Sequence, residues 1–182
     1  MSNLTVANRY AEALFKVAQE KNVLNELNAE LQLVKVVIES TPEFVQFVSH
    51  PKVKTEKKQA FIKESFGQAL SEPSLHLIYL LVDRKRTDIL VPLIQTFKKL
   101  ALEAQDKAEA LVYSAKPLAK EDEQQIAELF AKKAGKKQLE VKNVVDQELI
   151  GGLKIRIGDR IYDGSVKAQL DRMQRQLIAG TR

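Results

Sequence analysis

The stretch LIGGLKIRIGDRIYDG, residues 149–164, concentrates four glycines, two aspartates and three basic residues. Glycines beside a lysine are the raw material of a phosphate cradle. Such a cradle needs several backbone N–H groups, then a lysine and a hydroxyl, at the start of a helix. Here Gly151–Gly152 is followed by LKIRI, which alternates as a strand, and no Lys-Ser or Lys-Thr pair comes after it. The dinucleotide fingerprint G-x-G-x-x-G is also missing. Gly158–Asp159 stands between two strand-like runs and reads as a hairpin turn, while Asp163–Gly164 turns the chain into a last helix. Gly151, Gly152, Gly158, Asp159 and Gly164 are therefore expected to shape the backbone, with no cofactor implied.

The remaining chemistry-bearing residues are sparse. The two histidines, His50 and His76, have no partner at metal-ligand spacing. His50 precedes Pro51 at a helix end, where an imidazole commonly meets the last carbonyls. His76 falls within an apolar helix, packed or pointing outward. With no cysteine in the chain, disulfides and thiolate metal sites are excluded. The run Glu121–Asp122–Glu123 suits a helix start, and Asp159 and Asp163 suit turns. No nucleophile motif accompanies any of these. The expectation is a protein without a catalytic site.

Composition points the same way. The chain is 45% apolar and 29% charged, the balance of a globular protein, and its formal charge of +5 is spread among acids. The densest basic runs, PKVKTEKK and DRKR, lack interleaved aromatics or a reader module, so they read as solvated faces rather than a nucleic-acid surface. The charged N-terminus is not a signal peptide, and no apolar run approaches the ~18 residues of a membrane span. Any membrane association is expected to come through partners.

The elements that position these residues divide near Asp106. Before it the period is helical. A first helix, about residues 4–21, places Val6, Ala7, Tyr10, Ala11, Ala13, Leu14, Phe15, Val17 and Ala18 on one arc of ~200°, about twice the minimum stripe of a helix on one core. Such an arc calls for cover on two sides, or for a central place in the bundle; the pattern alone leaves both open. Further helices follow at about 23–39, from Pro42 with Thr41 as N-cap, at 55–66 closed by Gly67, at 73–82, and at 88–105. Beyond the link, strands alternate with a helix over KEDEQQIAELFAKKAGKK, ended by Gly135. A final helix, capped by Ser165, carries Val166, Leu170, Met173 and Leu177 along one stripe. The expected fold is mainly α: a six-helix bundle over 1–105 and a small α/β domain over 106–182.

Three stretches carry a resemblance. VANRYAEALFKVA near the start, LVDRKRTDILVPLIQTF between the fifth and sixth helices, and LEVKNVVDQELIGGLKIRIGDRIYDGSV near the end resemble, in order, the delta subunit family of bacterial F-type ATP synthases, homologous to the mitochondrial oligomycin-sensitivity-conferring protein. The resemblance implies a stator role on the cytoplasmic face of a bacterial cell membrane, one copy per complex. It implies that the helical bundle caps the catalytic alpha/beta hexamer and holds the N-terminal helix of an alpha subunit between its first and fifth helices. It also implies that the C-terminal domain meets the b subunits, coupling proton-driven rotation to ATP synthesis. On this reading Val6, Tyr10, Ala13 and Val17 form one wall of the alpha groove, and Leu77 and Leu80 the other; core filling is the rival use of the same residues. Val166, Leu170, Met173 and Leu177 become the b-subunit contact, although stripe width alone favours packing on the sheet. The alternative, from a different class, is a soluble helical adaptor of some other assembly.

Overall fold

The computed structural model describes residues 3–179, apart from the side chains of Leu177 and Ala179. Contacts divide the chain into two compact units, 1–101 and 102–182.

The first unit is built from α1 (Asn3–Glu20), α2 (Leu24–Ser40), α3 (Pro42–Ser49), α4 (Thr55–Phe66), α5 (Glu72–Asp83), a 3-10 turn (Thr87–Ile89) and most of α6 (Leu90–Ala104). Helical spacing fixes which side chains turn inward. On α1 these are Ala7, Ala11, Leu14 and Ala18, stepping by four, three and four. Three of them are alanine, so α1 is held by close backbone approach rather than by large side chains. Its Phe15 packs edge-on against Phe97 of α6, with ring centroids 6.5 Å apart. Leu27, Leu31, Val34, Ile62, Leu81, Leu93, Ile94 and Phe97 complete the dry centre.

Polar bonds between helices set their positions further. The hydroxyls of Ser71 and Ser74 both donate to Glu30 Oε2, at 2.7 and 2.5 Å, which pins the start of α5 to α2. Thr96 Oγ1 donates to Asn8 Oδ1 at 2.9 Å, and Asn3 Nδ2 to Asp88 Oδ2 at 2.7 Å, tying α1 to α6 and to the 3-10 turn.

Helix ends differ from their sequence reading in instructive ways. Thr41 occupies the N-cap of α3, but its side chain makes no cap bond. Gly67 follows α4 in right-handed geometry, so it ends that helix without the left-handed turn expected of a terminal glycine. Asn22, Lys85 and Asp106 take positive φ instead, at 56°, 54° and 55°.

The second unit is a four-stranded sheet in the order β2-β1-β3-β4, with β1 (Lys107–Ser114), β2 (Gln138–Val145), β3 (Leu153–Ile157) and β4 (Arg160–Asp163). β1 and β2 are parallel, joined through α7 (Lys120–Ala134); β3 lies antiparallel to β1 and makes a hairpin with β4. Ile126 and Ala131 of α7 cover Ala110, Val112, Leu139, Ile155 and Ile157 of the sheet, and Phe130 meets Tyr162 edge-on at 5.3 Å. Asn143 fixes the loop entering α7: its Nδ2 donates to Val112 O and Ser114 Oγ, at 3.0 and 2.7 Å, and its Oδ1 accepts from Leu118 N at 3.2 Å. α8 (Val166–Ala179) ends the unit.

Candidate docking surfaces

A cleft of about 450 Å³ opens between α1 and α5. Its floor is Leu14 and Leu77, both buried in the bundle core. Val17, 37% exposed, and Leu80, 40% exposed, form its apolar rims, with Ala13 exposed and Tyr10 half-buried between them. The wide arc of α1 is thus divided: Ala7, Ala11 and Ala18 face the core, while Ala13 and Val17 face outward. Of the groove residues read from the sequence, Tyr10, Ala13, Val17, Leu77 and Leu80 are brought together here. Val6 is not. It packs partly against the core and lines a separate depression with Asn3, Lys85, Arg86, Asp88 and Ile89.

Lys21, Glu72, Pro73 and His76 also line the cleft, and the sequence reading missed them. Their signal was present in the spacing. Glu72 and His76 precede Leu80 by eight and four residues on one face of α5, and Lys21 follows Val17 by four.

His50 Nδ1 accepts from Lys52 N at 3.2 Å, so its ring closes a turn beyond α3 instead of meeting helix carbonyls. His76 is exposed at the cleft edge. Among the described residues no group of three or more His, Cys, Asp or Glu is arranged to hold a metal.

The second surface is α8. Asp163 Oδ1 accepts from Ser165 N at 3.0 Å, and Ser165 Oγ accepts from Ala168 N at 3.2 Å, so Ser165 caps the helix as its sequence suggests. Hydrogen bonds from the Ser165 hydroxyl and amide hold the Asp163 carboxyl below the usual aspartate value. Gly164 N donates to Leu153 O at 2.9 Å and Val166 N to Gly151 O at 3.0 Å, which hooks the start of α8 over the glycine pair. Gly152 has φ +79°, and a Cβ there would lie 2.5 Å from Gly164 O, so this position needs glycine twice over. Gly158, at φ +57°, opens the two-residue hairpin turn it shares with Asp159.

Past this hook none of the described residues of α8 is fully buried, and only Ala168 is half-buried. Val166, Leu170 and Met173 are 37, 52 and 61% exposed, so the stripe does not pack on the sheet as its width had suggested. Ile150, which precedes the glycine pair of the hook, is 72% exposed. The side chain of Leu177 lies outside the described residues.

Among the described residues, each of the two units thus presents an outward apolar surface. The ATP synthase delta (OSCP) subunit family model matches residues 6–177. The chain belongs to this family. It is 63% identical to an ATP synthase subunit delta of Alkalihalophilus pseudofirmus and 50% identical to that of Halalkalibacterium halodurans, over the full length of each chain. A chain in the cryo-EM structure of the Toxoplasma gondii mitochondrial ATP synthase hexamer shares the fold, with a TM-score of 0.78 at 22% identity over 94% of this chain and 97% of that one. As a delta-family member the chain is a non-catalytic component of the peripheral stalk of F-type ATP synthase. No described helix of this delta-family chain is long and apolar enough to cross a membrane, though the complex it serves is membrane-bound.

Proposed function

We propose that the α1–α5 cleft receives the N-terminal helix of an alpha subunit, and that the exposed stripe of α8 receives the ends of the b subunits. The two contacts lie in series between the alpha/beta head and the membrane sector, on the cytoplasmic face of a bacterial cell membrane. Held this way, the head cannot follow the rotor, and torque is spent on nucleotide chemistry.

The observation that carries this reading is the shape and lining of the cleft. From Tyr10 to its end at Glu20, α1 runs about 15 Å, close to three helical turns, with Lys21 just beyond it. An amphipathic helix laid in an apolar groove is a recurrent recognition mode. Covering the exposed parts of Val17 and Leu80 contributes on the order of 1 kcal/mol each. A tether under torque must also release slowly, and affinity differences between related complexes reside mainly in off-rates.

Ala13→Asp tests the cleft. Ala13 is exposed, so an aspartate there is solvated in the free chain but desolvated under a docked helix. The expected outcome is lost binding of an alpha N-terminal peptide with helicity and melting temperature kept. Unchanged binding, or collapse of the melt, refutes the reading.

A further inference from the structure

The cleft is not symmetric along its length. Asn3 and Val6 of α1 share a depression with Lys85 and Arg86, just past the end of α5. The start of α1 therefore lies beside the end of α5, and the two walls run antiparallel. Tyr10 and Leu80 fall at one end of the cleft, while Lys21 and Glu72 fall at the other. Among the described residues neither Lys21 nor Glu72 has an ion-pair or side-chain hydrogen-bond partner, and they do not pair with each other. One end of an apolar groove thus presents a cation on the α1 wall and an anion on the α5 wall, with His76 one turn further along α5.

Helix dipoles do not distinguish the two directions here, because α1 ends where α5 begins and their partial charges oppose. The side chains do distinguish them. A helix in the cleft turns one flank to α1 and the other to α5. Reversing it end for end exchanges those flanks. A helix whose terminal turn has an acid on one flank and a base on the other therefore meets Lys21 and Glu72 favourably in one direction only. In the reverse direction both charges leave the polar end, and in the favoured direction a register shift of one turn carries them off Lys21 and Glu72 onto Val17 and His76. We propose that Lys21 and Glu72 set the direction and register of the docked helix. The partner is thus an amphipathic helix of about three turns with an acid facing Lys21 and a base facing Glu72 in one terminal turn. This rests on the cleft being the docking groove. It assigns the apolar residues to affinity and the charged pair to selection, the usual division between burial and charge at interfaces.

Charge reversal separates the two claims. Lys21→Glu and Glu72→Lys are both exposed changes, so each variant is expected to melt like the parent. Binding of a peptide spanning the alpha-subunit N-terminal helix is measured at low and high salt, with Ala13→Asp alongside. The expected result is a loss of about three- to tenfold for each reversal at low salt, shrinking at high salt. A spin label at one end of the peptide, read against a label at Glu20, reports direction: a single distance in the parent and a second population in the Lys21→Glu/Glu72→Lys double variant. If both reversals bind like the parent while Ala13→Asp abolishes binding, the cleft stands and the selection is refuted. If Ala13→Asp also binds like the parent, the cleft itself is refuted, and the selection with it.

Discussion

Lys85 holds a backbone conformation that its own side chain disfavours. At φ +54° it closes α5, with Lys85 N donating to Val82 O at 3.0 Å and Arg86 N to Leu81 O at 2.8 Å. This is the turn for which glycine is the usual residue, and Gly135 makes the same turn after α7. A left-handed non-glycine residue costs about 1–2 kcal/mol, and glycine gives back roughly half of that in unfolded-chain entropy. Lys85→Gly is therefore expected to stabilise the first unit by about 0.5–1 kcal/mol, seen as a higher urea midpoint with unchanged slope. Asp163 yields a pH prediction. Its folded pKa is depressed by Ser165, so its contribution is complete above the ordinary aspartate value and is lost as pH falls through the lower folded value. Asp163→Asn should destabilise the second unit at neutral pH, and the difference from the parent should vanish in strong acid. A carboxyl carbon titration by NMR that places Asp163 at or above the usual range would contradict this.

At the scale of elements, what the sequence discloses depends on how local the cause is. The hairpin at Gly158, the cap at Ser165 and the left-handed Gly135 follow from chemistry within a few residues, and they could be read directly. The split arc of α1 was legible as a width, because periodicity reports how much of a helix is apolar. It does not report which neighbour covers each part, and so Val6 was placed in a cleft it does not line. The turns at Asn22, Lys85 and Asp106 escaped because no glycine marks them. α8 is the clearest case. Its stripe has the width of a core-packing helix, but its first turn is hooked over Gly151 and Gly152, which leaves the stripe in solvent. The consequence is measurable. Leu170→Ala should change stability by no more than about 0.5 kcal/mol, because an exposed leucine loses little contact. Phe97→Ala, fully buried against Phe15, should cost about 3–5 kcal/mol. Equal losses at the two positions would mean that α8 is packed after all.

For the whole molecule, the proposed docking at two outward surfaces, one on each unit, would make function a property of the chain as a link. Contacts in series carry the same load, so on the proposed docking the weaker of the two limits the link, and each must release slowly. That same logic makes failure at either end equivalent. Replacing Leu170 and Met173 with aspartate leaves the cleft intact, and Ala13→Asp leaves α8 intact, yet on the proposed docking each is expected to break the series connection between head and membrane sector. In inverted membrane vesicles both variants should retain ATP hydrolysis, since the chain contributes no catalytic group, while ATP-driven proton pumping falls steeply. Adding excess parent chain should restore pumping in both. If pumping stays proportional to hydrolysis in either variant, the surface altered in it bears no torque, and the tether runs through some other face of the molecule.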